Sequence, residues 1–162
     1  MFHSGTACII FFSGQESRGR IPKPRKPCVL VIDDEPGIVK TLSWLLEESG
    51  YRTAVALSGQ LACEILESTA PDLAIVDVNL PDAHGLSVAA EICRRVPNCK
   101  LLLLSGETTA EVRRAIENGL NADVLEKPVP PSDLLVKIRS MLSNAKGTFG
   151  HSDGQETEPK KY

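Results

Sequence analysis

Cys28-Val-Leu-Val-Ile-Asp-Asp-Glu-Pro36 is the stretch whose reading decides the fold. Five apolar residues without polar alternation are expected of a strand covered on both faces. The run ends on three consecutive carboxylates, Asp33, Asp34 and Glu35, and then on a proline. Pro36 suits the first turn of a helix. Beyond it Ile38, Leu42, Leu45 and Leu46 recur at helical spacing until Gly50 stops the pattern. A buried strand that runs directly into an amphipathic helix is the repeating unit of an α/β sheet.

The same unit recurs four more times. Tyr51 to Leu57 is a second strand, and Ser58 caps a helix with Leu61, Ala62, Ile65 and Leu66 inward. Asp72 to Val76 is a third strand, after which the turn Leu80-Pro-Asp-Ala-His-Gly85 leads into a helix over 86–95. Lys100 to Leu104 is a fourth strand, followed by a helix from about Thr109 to Asn118. Asp123 to Glu126 is a short fifth strand, and the helix after Pro131 turns Leu134, Leu135, Ile138, Met141 and Leu142 inward. Five units are too few for a closed eight-fold barrel. The predicted fold class is α/β, an open doubly wound parallel sheet of five strands with five helices.

The flanks differ from this core. Residues 1–27 hold five basic side chains and one acidic, against 10 basic and 17 acidic over 28–143. The segment Arg18 to Pro27, RGRIPKPRKP, is expected to be an extended, solvated linker. The polar tail 144–162 carries equal numbers of each charge and few branched apolar residues. Domain organisation then reads as a disordered basic leader (1–27), one domain (28–143) and a disordered polar tail (144–162). A net charge of −3 and only 4 % aromatic residues argue against a nucleic-acid-gripping surface and against stacking platforms. Five cysteines, Cys8, Cys28, Cys63, Cys93 and Cys99, show no C-x-x-C spacing and read as buried reduced thiols of a cytoplasmic protein. No apolar run reaches the roughly 18–20 residues of a membrane helix.

In open parallel sheets the functional site lies beyond the carboxyl ends of the strands. Those ends are Asp33 and Asp34 on the first strand, Asp77 on the third, Ser105 on the fourth and Lys127, followed by Pro128, on the fifth. One Asp after a strand is commonly a cap or turn former. Three carboxylates converging with a hydroxyl and an ammonium are a different matter, because like charges repel unless a proton or cation intervenes. Without clustered His or Cys the expected cation is hard, and magnesium (Mg2+) suits it best. Such a centre suits phosphoryl transfer, with an Asp carboxylate able to form an acyl phosphate. Lys127 and Ser105 then offer donors to phosphoryl oxygens.

Four strings carry a family resemblance: VLVIDDEP at 29–36, AIVDVNLPDAHG at 74–85, LLLSG at 102–106 and ADVLEKP at 122–128. In this order they resemble the receiver domain of two-component response regulators, as single-domain chemotaxis-type regulators have it. The resemblance implies a flavodoxin-like strand order 2-1-3-4-5. It implies that Asp77 accepts a phosphoryl group from a sensor histidine kinase or a phosphotransfer protein. Asp34 would ligate Mg2+ directly with Asp77, Asn79 would add its backbone carbonyl, and Asp33 would act through bound water. Lys127 would pair with Asp77 and later with the phosphoryl group, across a cis Lys127–Pro128 bond. Ser105 would move to hydrogen-bond the phosphoryl group, and the output would be a protein–protein surface facing an unknown downstream target, with dimerisation on phosphorylation as a further option.

One position departs from the family. Three residues before the lysine an aromatic switch residue is usual, whereas here Val124 stands, so the switch must be carried otherwise. Asn79 and Glu107, two residues beyond Asp77 and Ser105, would tune water access, and their polarity implies an acyl phosphate lasting seconds to minutes. With about 20 residues after Leu142, no DNA-binding domain is expected. Other readings are a phosphorylation-independent receiver-like binding module, towards which Val124 leans, and a phosphatase of the haloacid dehalogenase type. The latter wants an Asp where Asn79 stands. A nucleic-acid binder acting through residues 18–26 would bind weakly and without sequence preference. His84 reads as a surface residue, Trp44 as packing, and Glu35 and Asp82 as turn or cap residues.

Overall fold

The computed structural model describes residues 25–106 and 110–143. In chain order these form β1 (Cys28–Ile32), α1 (Pro36–Glu48), β2 (Arg52–Ala56), α2 (Gly59–Ile65), β3 (Leu73–Asp77), α3 (Gly85–Arg95), β4 (Lys100–Ser105), α4 (Ala110–Glu117), β5 (Ala122–Glu126) and α5 (Pro131–Ser143). The strands make one parallel sheet ordered β2-β1-β3-β4-β5. The doubly wound reading therefore holds, with element ends within a residue or two of those expected.

The continuous apolar strands are covered twice because successive side chains point to opposite faces. Leu30, Ile32, Ala74, Val76, Leu101 and Leu103 pack on one face with Ala62, Val88, Ala89, Ile92 and Val112. Val29, Val31, Leu73, Ile75, Leu102 and Leu104 pack on the other with Val39, Leu46, Leu134, Ile138 and Met141. Gly50, with φ of 89°, takes the left-handed conformation that ends α1. Ser58 caps α2 through its hydroxyl, which accepts the Leu61 N–H at 3.1 Å.

Four expectations need correction. Along α1 the buried stripe is Val39 and Leu46, with Leu42 packed beside them, while Ile38 and Leu45 are only half-buried. Trp44 is 65 % exposed and does not pack. Apolar residues at 38, 39, 42, 44, 45 and 46 span so wide an arc that spacing alone cannot tell which stripe meets the sheet. Cys28 and Cys99 are buried free thiols, but Cys63 and Cys93 are only half-buried; Cys8 lies outside the described residues. The end of the basic segment is not merely solvated, since the Arg25 guanidinium donates to both oxygens of Asp72, at 2.9 and 2.6 Å. Asp72 also accepts the Cys28 N–H at 2.7 Å, so Arg25 is tied to the start of β1. The rest of the leader (1–24) and the tail (144–162) lie outside the described residues.

Two outcomes follow from this packing. Trp44 is the sole tryptophan, so native fluorescence should already resemble that of the unfolded chain, with little shift in its maximum through a urea transition followed by circular dichroism. In the same titration Leu103→Ala, at a fully buried position, should cost about 2–5 kcal/mol, and Trp44→Ala under about 0.5 kcal/mol.

Burial pushes the Cys99 thiol up to about 12, with Cys93, Asp72 and Cys28 nearby adding to the rise. Burial also raises Cys28, and the thiolate is the reactive form. Iodoacetamide at pH 8 should therefore label Cys63 well before Cys28 and Cys99 in the native protein, with the difference vanishing in denaturant. Peptide mass mapping over time reads this directly, and equal native rates would contradict the burial assigned to Cys99.

Candidate functional site

The parallel register brings the strand ends to one edge of the sheet. Ile32 pairs with Ala56 and with Val76, and the Asp33 N–H continues the ladder to the Ala56 carbonyl at 3.2 Å. This extra bond draws the Asp33 side chain inside, where it is only 1 % exposed. Its Oδ1 accepts the Glu35 N–H at 2.9 Å, while Asp34, next in the chain, is exposed. Asp34 lines a cleft of roughly 500 Å³ shared with residues 78–84.

Asp77 ends β3 and is 7 % exposed. Its Oδ1 accepts the Asn79 N–H at 3.0 Å, a local turn that Asp forms readily. The loop then doubles back. Asn79 bridges to His84, and the Gly85 N–H donates to the Val78 carbonyl at 2.9 Å. This closure requires glycine: a Cβ at position 85 would overlap the Asp77 carbonyl oxygen and stand 2.7 Å from Val78 Cα. Asp82 reaches sideways to the start of α2, where its carboxylate accepts the Gly59 and Gln60 N–H groups at 3.0 Å each. Those bonds, from Gln60 first and then Gly59, hold its carboxyl below the usual carboxylate range.

Lys127 joins the two sides. Its N–H donates to the Ser105 carbonyl at 2.7 Å, and its bond to Pro128 is cis. Its Nζ donates to Asp77 Oδ2 at 2.8 Å and to Asp33 Oδ2 at 3.0 Å. Burial alone would lower the lysine, but the hydrogen bonds it donates to Asp77 and Asp33, and their negative charges, outweigh it and leave the ammonium raised. Ser105, at the end of β4, is 1 % exposed and stands in register with Glu126.

Carboxylate oxygens of Asp33, Asp34 and Asp77 lie within 4.8 Å of one another. An all-oxygen set with one exposed member facing a cleft fits a hard divalent cation, which takes carboxylates and keeps several waters. A single ammonium among three carboxylates leaves a negative excess for such a cation to offset. Asp33 and Asp77 each have both oxygens bonded within the protein, whereas Asp34 is exposed on the cleft and is the member best placed to offer an oxygen to the ion directly.

Asp33, Asp34, Asp77, Ser105 and Lys127 thus meet at the carboxyl edge, as the strand ends implied. Asn79 stands beside Asp77 in the loop. Val124 is half-buried on β5, packed against the cluster that holds Leu103. Glu107 lies outside the described residues. Sequence reasoning missed three local roles: the close approach at Gly85, the reach of Asp82 to another helix, and His84 as the cap of α3. The Gly after a turn rich in Pro and Asp signalled a tight bend, but not what it packs against.

Comparison with known proteins places the molecule. Residues 29–139 match the response regulator receiver domain family, and the chain belongs to that family. It is a receiver domain of two-component response regulators, a signalling family. It is 30 % identical over 115 residues to the DNA-binding response regulator MtrA of Mycolicibacterium smegmatis, covering 70 % of this chain and 50 % of that protein. The chain thus spans about half the length of that curated relative. A CheY-like receiver domain protein from Methanospirillum hungatei superposes with a TM-score of 0.71 at 28 % identity, over 75 % of this chain and 98 % of that one. A response regulator from Burkholderia pseudomallei, solved with a phosphorylated aspartic acid, a calcium ion and citrate, gives 0.64 at 25 % identity, over 75 % and 71 % of the two chains.

Because Gly85 lies against the backbone of Asp77 and Val78, Gly85→Ala should destabilise the fold by about 1–3 kcal/mol or more through overpacking that no rotamer relieves. Denaturant unfolding beside Gly37→Ala, where an added Cβ meets nothing within 4 Å, provides the comparison.

Proposed function

We propose that this chain is a phosphoacceptor of a two-component relay, in which Asp77 takes a phosphoryl group from the phosphohistidine of a sensor histidine kinase or a phosphotransfer protein. The observation that carries this reading is Lys127 Nζ held between Asp77 and Asp33, at 2.8 and 3.0 Å, within a three-carboxylate cluster. The phosphorylated aspartic acid in the Burkholderia pseudomallei relative supports it.

In the proposed step a carboxylate oxygen of Asp77 attacks phosphorus, and the bond from phosphorus to the donor imidazole nitrogen breaks with its electron pair leaving on nitrogen. Asp34 and Asp77, with the Asn79 carbonyl and with Asp33 through water, would hold Mg2+, which supplies charge neutralisation for the phosphoryl oxygens. Lys127 stabilises the Asp77 carboxylate before transfer and follows the added negative charge after it. The Ser105 hydroxyl donates to a phosphoryl oxygen. Hydrolysis of the acyl phosphate, tuned by Asn79 and Glu107, resets the protein within seconds to minutes. No other catalysis is assigned, and the working compartment is the cytoplasm.

Output is read as a change in a protein–protein surface. Val124 offers no aromatic ring to follow Ser105 inward, so another contact carries the change. DNA binding is named for the MtrA relative, and the part matched here is the receiver. Among the described residues no helix is long and apolar enough to cross a membrane. The independent unit is proposed to span 28–143, with Arg25 fastened to its edge.

Incubation with acetyl phosphate and Mg2+ should add one phosphoryl group by intact mass, with acetate as the leaving group. Asp77→Ala and chelation should each abolish the addition, and removal of excess donor should be followed by loss within minutes. A folded chain that takes up no phosphoryl group would move the phosphorylation-independent binding module to first place.

A further inference from the structure

Two polar side chains of the loop after Asp77 reach other helices. Asp82 fastens it to α2, as described. His84 fastens it to α4, where its Nε2 lies 3.1 Å from Glu111 Oε2. The proton on that ring can be placed by its other bond. Nδ1 accepts the Leu86 N–H at 3.4 Å in capping α3, so Nε2 carries the hydrogen and donates it to the carboxylate. Neutral imidazole suffices for both bonds.

We propose that His84 is a positioning residue through which α4 reads the phosphoryl state of Asp77, by way of the His84–Glu111 contact. This rests on the reading of Asp77 as the phosphoacceptor. Two further observations support it. First, residue 84 is tied to the backbone beside Asp77: Asn79 bridges to His84, the Gly85 N–H is bonded to the Val78 carbonyl, and Gly85 is packed against the Asp77 carbonyl too closely for a Cβ. A phosphoryl group at Asp77 adds charge and acceptor oxygens beside this loop, and the tight closure passes any adjustment to the imidazole. Second, α4 is weakly held. It buries one side chain, Val112, whereas α3 buries Gly85, Val88, Ala89 and Ile92, and α5 buries Leu134, Ile138 and Met141. With so little side-chain burial to place it, the His84–Glu111 bond at its first turn carries a larger share of its positioning than the same bond would on α3 or α5.

The pair is exposed, at 46 % for His84 and 67 % for Glu111, so the contact biases α4 by a modest factor and does not lock it. Exposed pairs of this kind correspond to equilibrium shifts of about two- to fivefold. That range is sufficient to alter the population of a balanced element.

The test uses the full chain with acetyl phosphate and Mg2+, reading amide hydrogen exchange over residues 110–117 and phosphoryl occupancy from the same samples. His84→Asn retains a good helix cap but is too short to reach Glu111. Glu111→Ala removes the contact from the other side at an exposed position. In the unsubstituted chain, phosphorylation should change exchange in α4. Each variant should shrink that change about two- to fivefold at unchanged occupancy and nearly unchanged melting temperature. The double variant should do no more than either alone, as expected of two ends of one contact. An α4 response that is absent, that either single variant leaves intact, or that falls additively in the double variant overturns the inference alone. Absence of phosphoryl uptake in the unsubstituted chain overturns the acceptor reading, and this inference with it.

Discussion

The arrangement depends on holding negative charges together that would separate if they were free to do so. Asp33 and Asp77 come from strands that are neighbours in the sheet but 44 residues apart in the chain, and each is almost wholly removed from water. Lys127, from a third region, donates to both. A buried charge is costly unless paired and hydrogen-bonded. Here every such demand on the pair is met locally: Glu35 and Asn79 supply backbone N–H groups to the remaining oxygens. What the arrangement leaves over is negative charge concentrated towards Asp34 and the open cleft. That is the physical basis for a site receptive to a divalent cation and to phosphoryl chemistry.

The sheet is what makes this tolerable. Its interior strands carry unbroken apolar runs, so the two faces hold the core while polar residues are confined to the strand ends. Chemistry and stability are thereby separated in space. The loop from Val78 to Gly85 is the exception, because it serves both. Its glycine closes on the β3 backbone, its Asp82 organises the first turn of α2, and its His84 caps α3 while reaching α4. Three helices begin at the contacts of this loop.

Much of this was legible beforehand. Continuous apolar runs ending in Asp33, Asp77 and Ser105, with Lys127 closing a shorter mixed strand, identify both a parallel sheet and the edge at which to look, since strands covered on two faces carry such runs. Periodicity located α1 but counted Ile38 and Leu45 in its stripe, and Trp44 beside them was read as packing, because an arc of apolar residues wider than the contact surface does not specify which part is covered. The thiols were similarly over-assigned: spacing distinguishes Cys28 on a central strand from nothing else, and Cys63 and Cys93 sit on helix flanks that only partly face the core.

Sequence by itself determined the fold class, the register of chemistry to strand ends and the residue types of the site, because each rests on local spacing and on the demand that apolar strands be covered. Tertiary structure alone decided that Lys127, expected beside Asp77, also joins Asp33, that Arg25 grips Asp72 and that Trp44 faces solvent. It also decided that His84 and Glu111 meet across 27 positions of chain. Those are pairings between distant segments, governed by where the sheet order and crossovers bring them, and no local pattern carries that information.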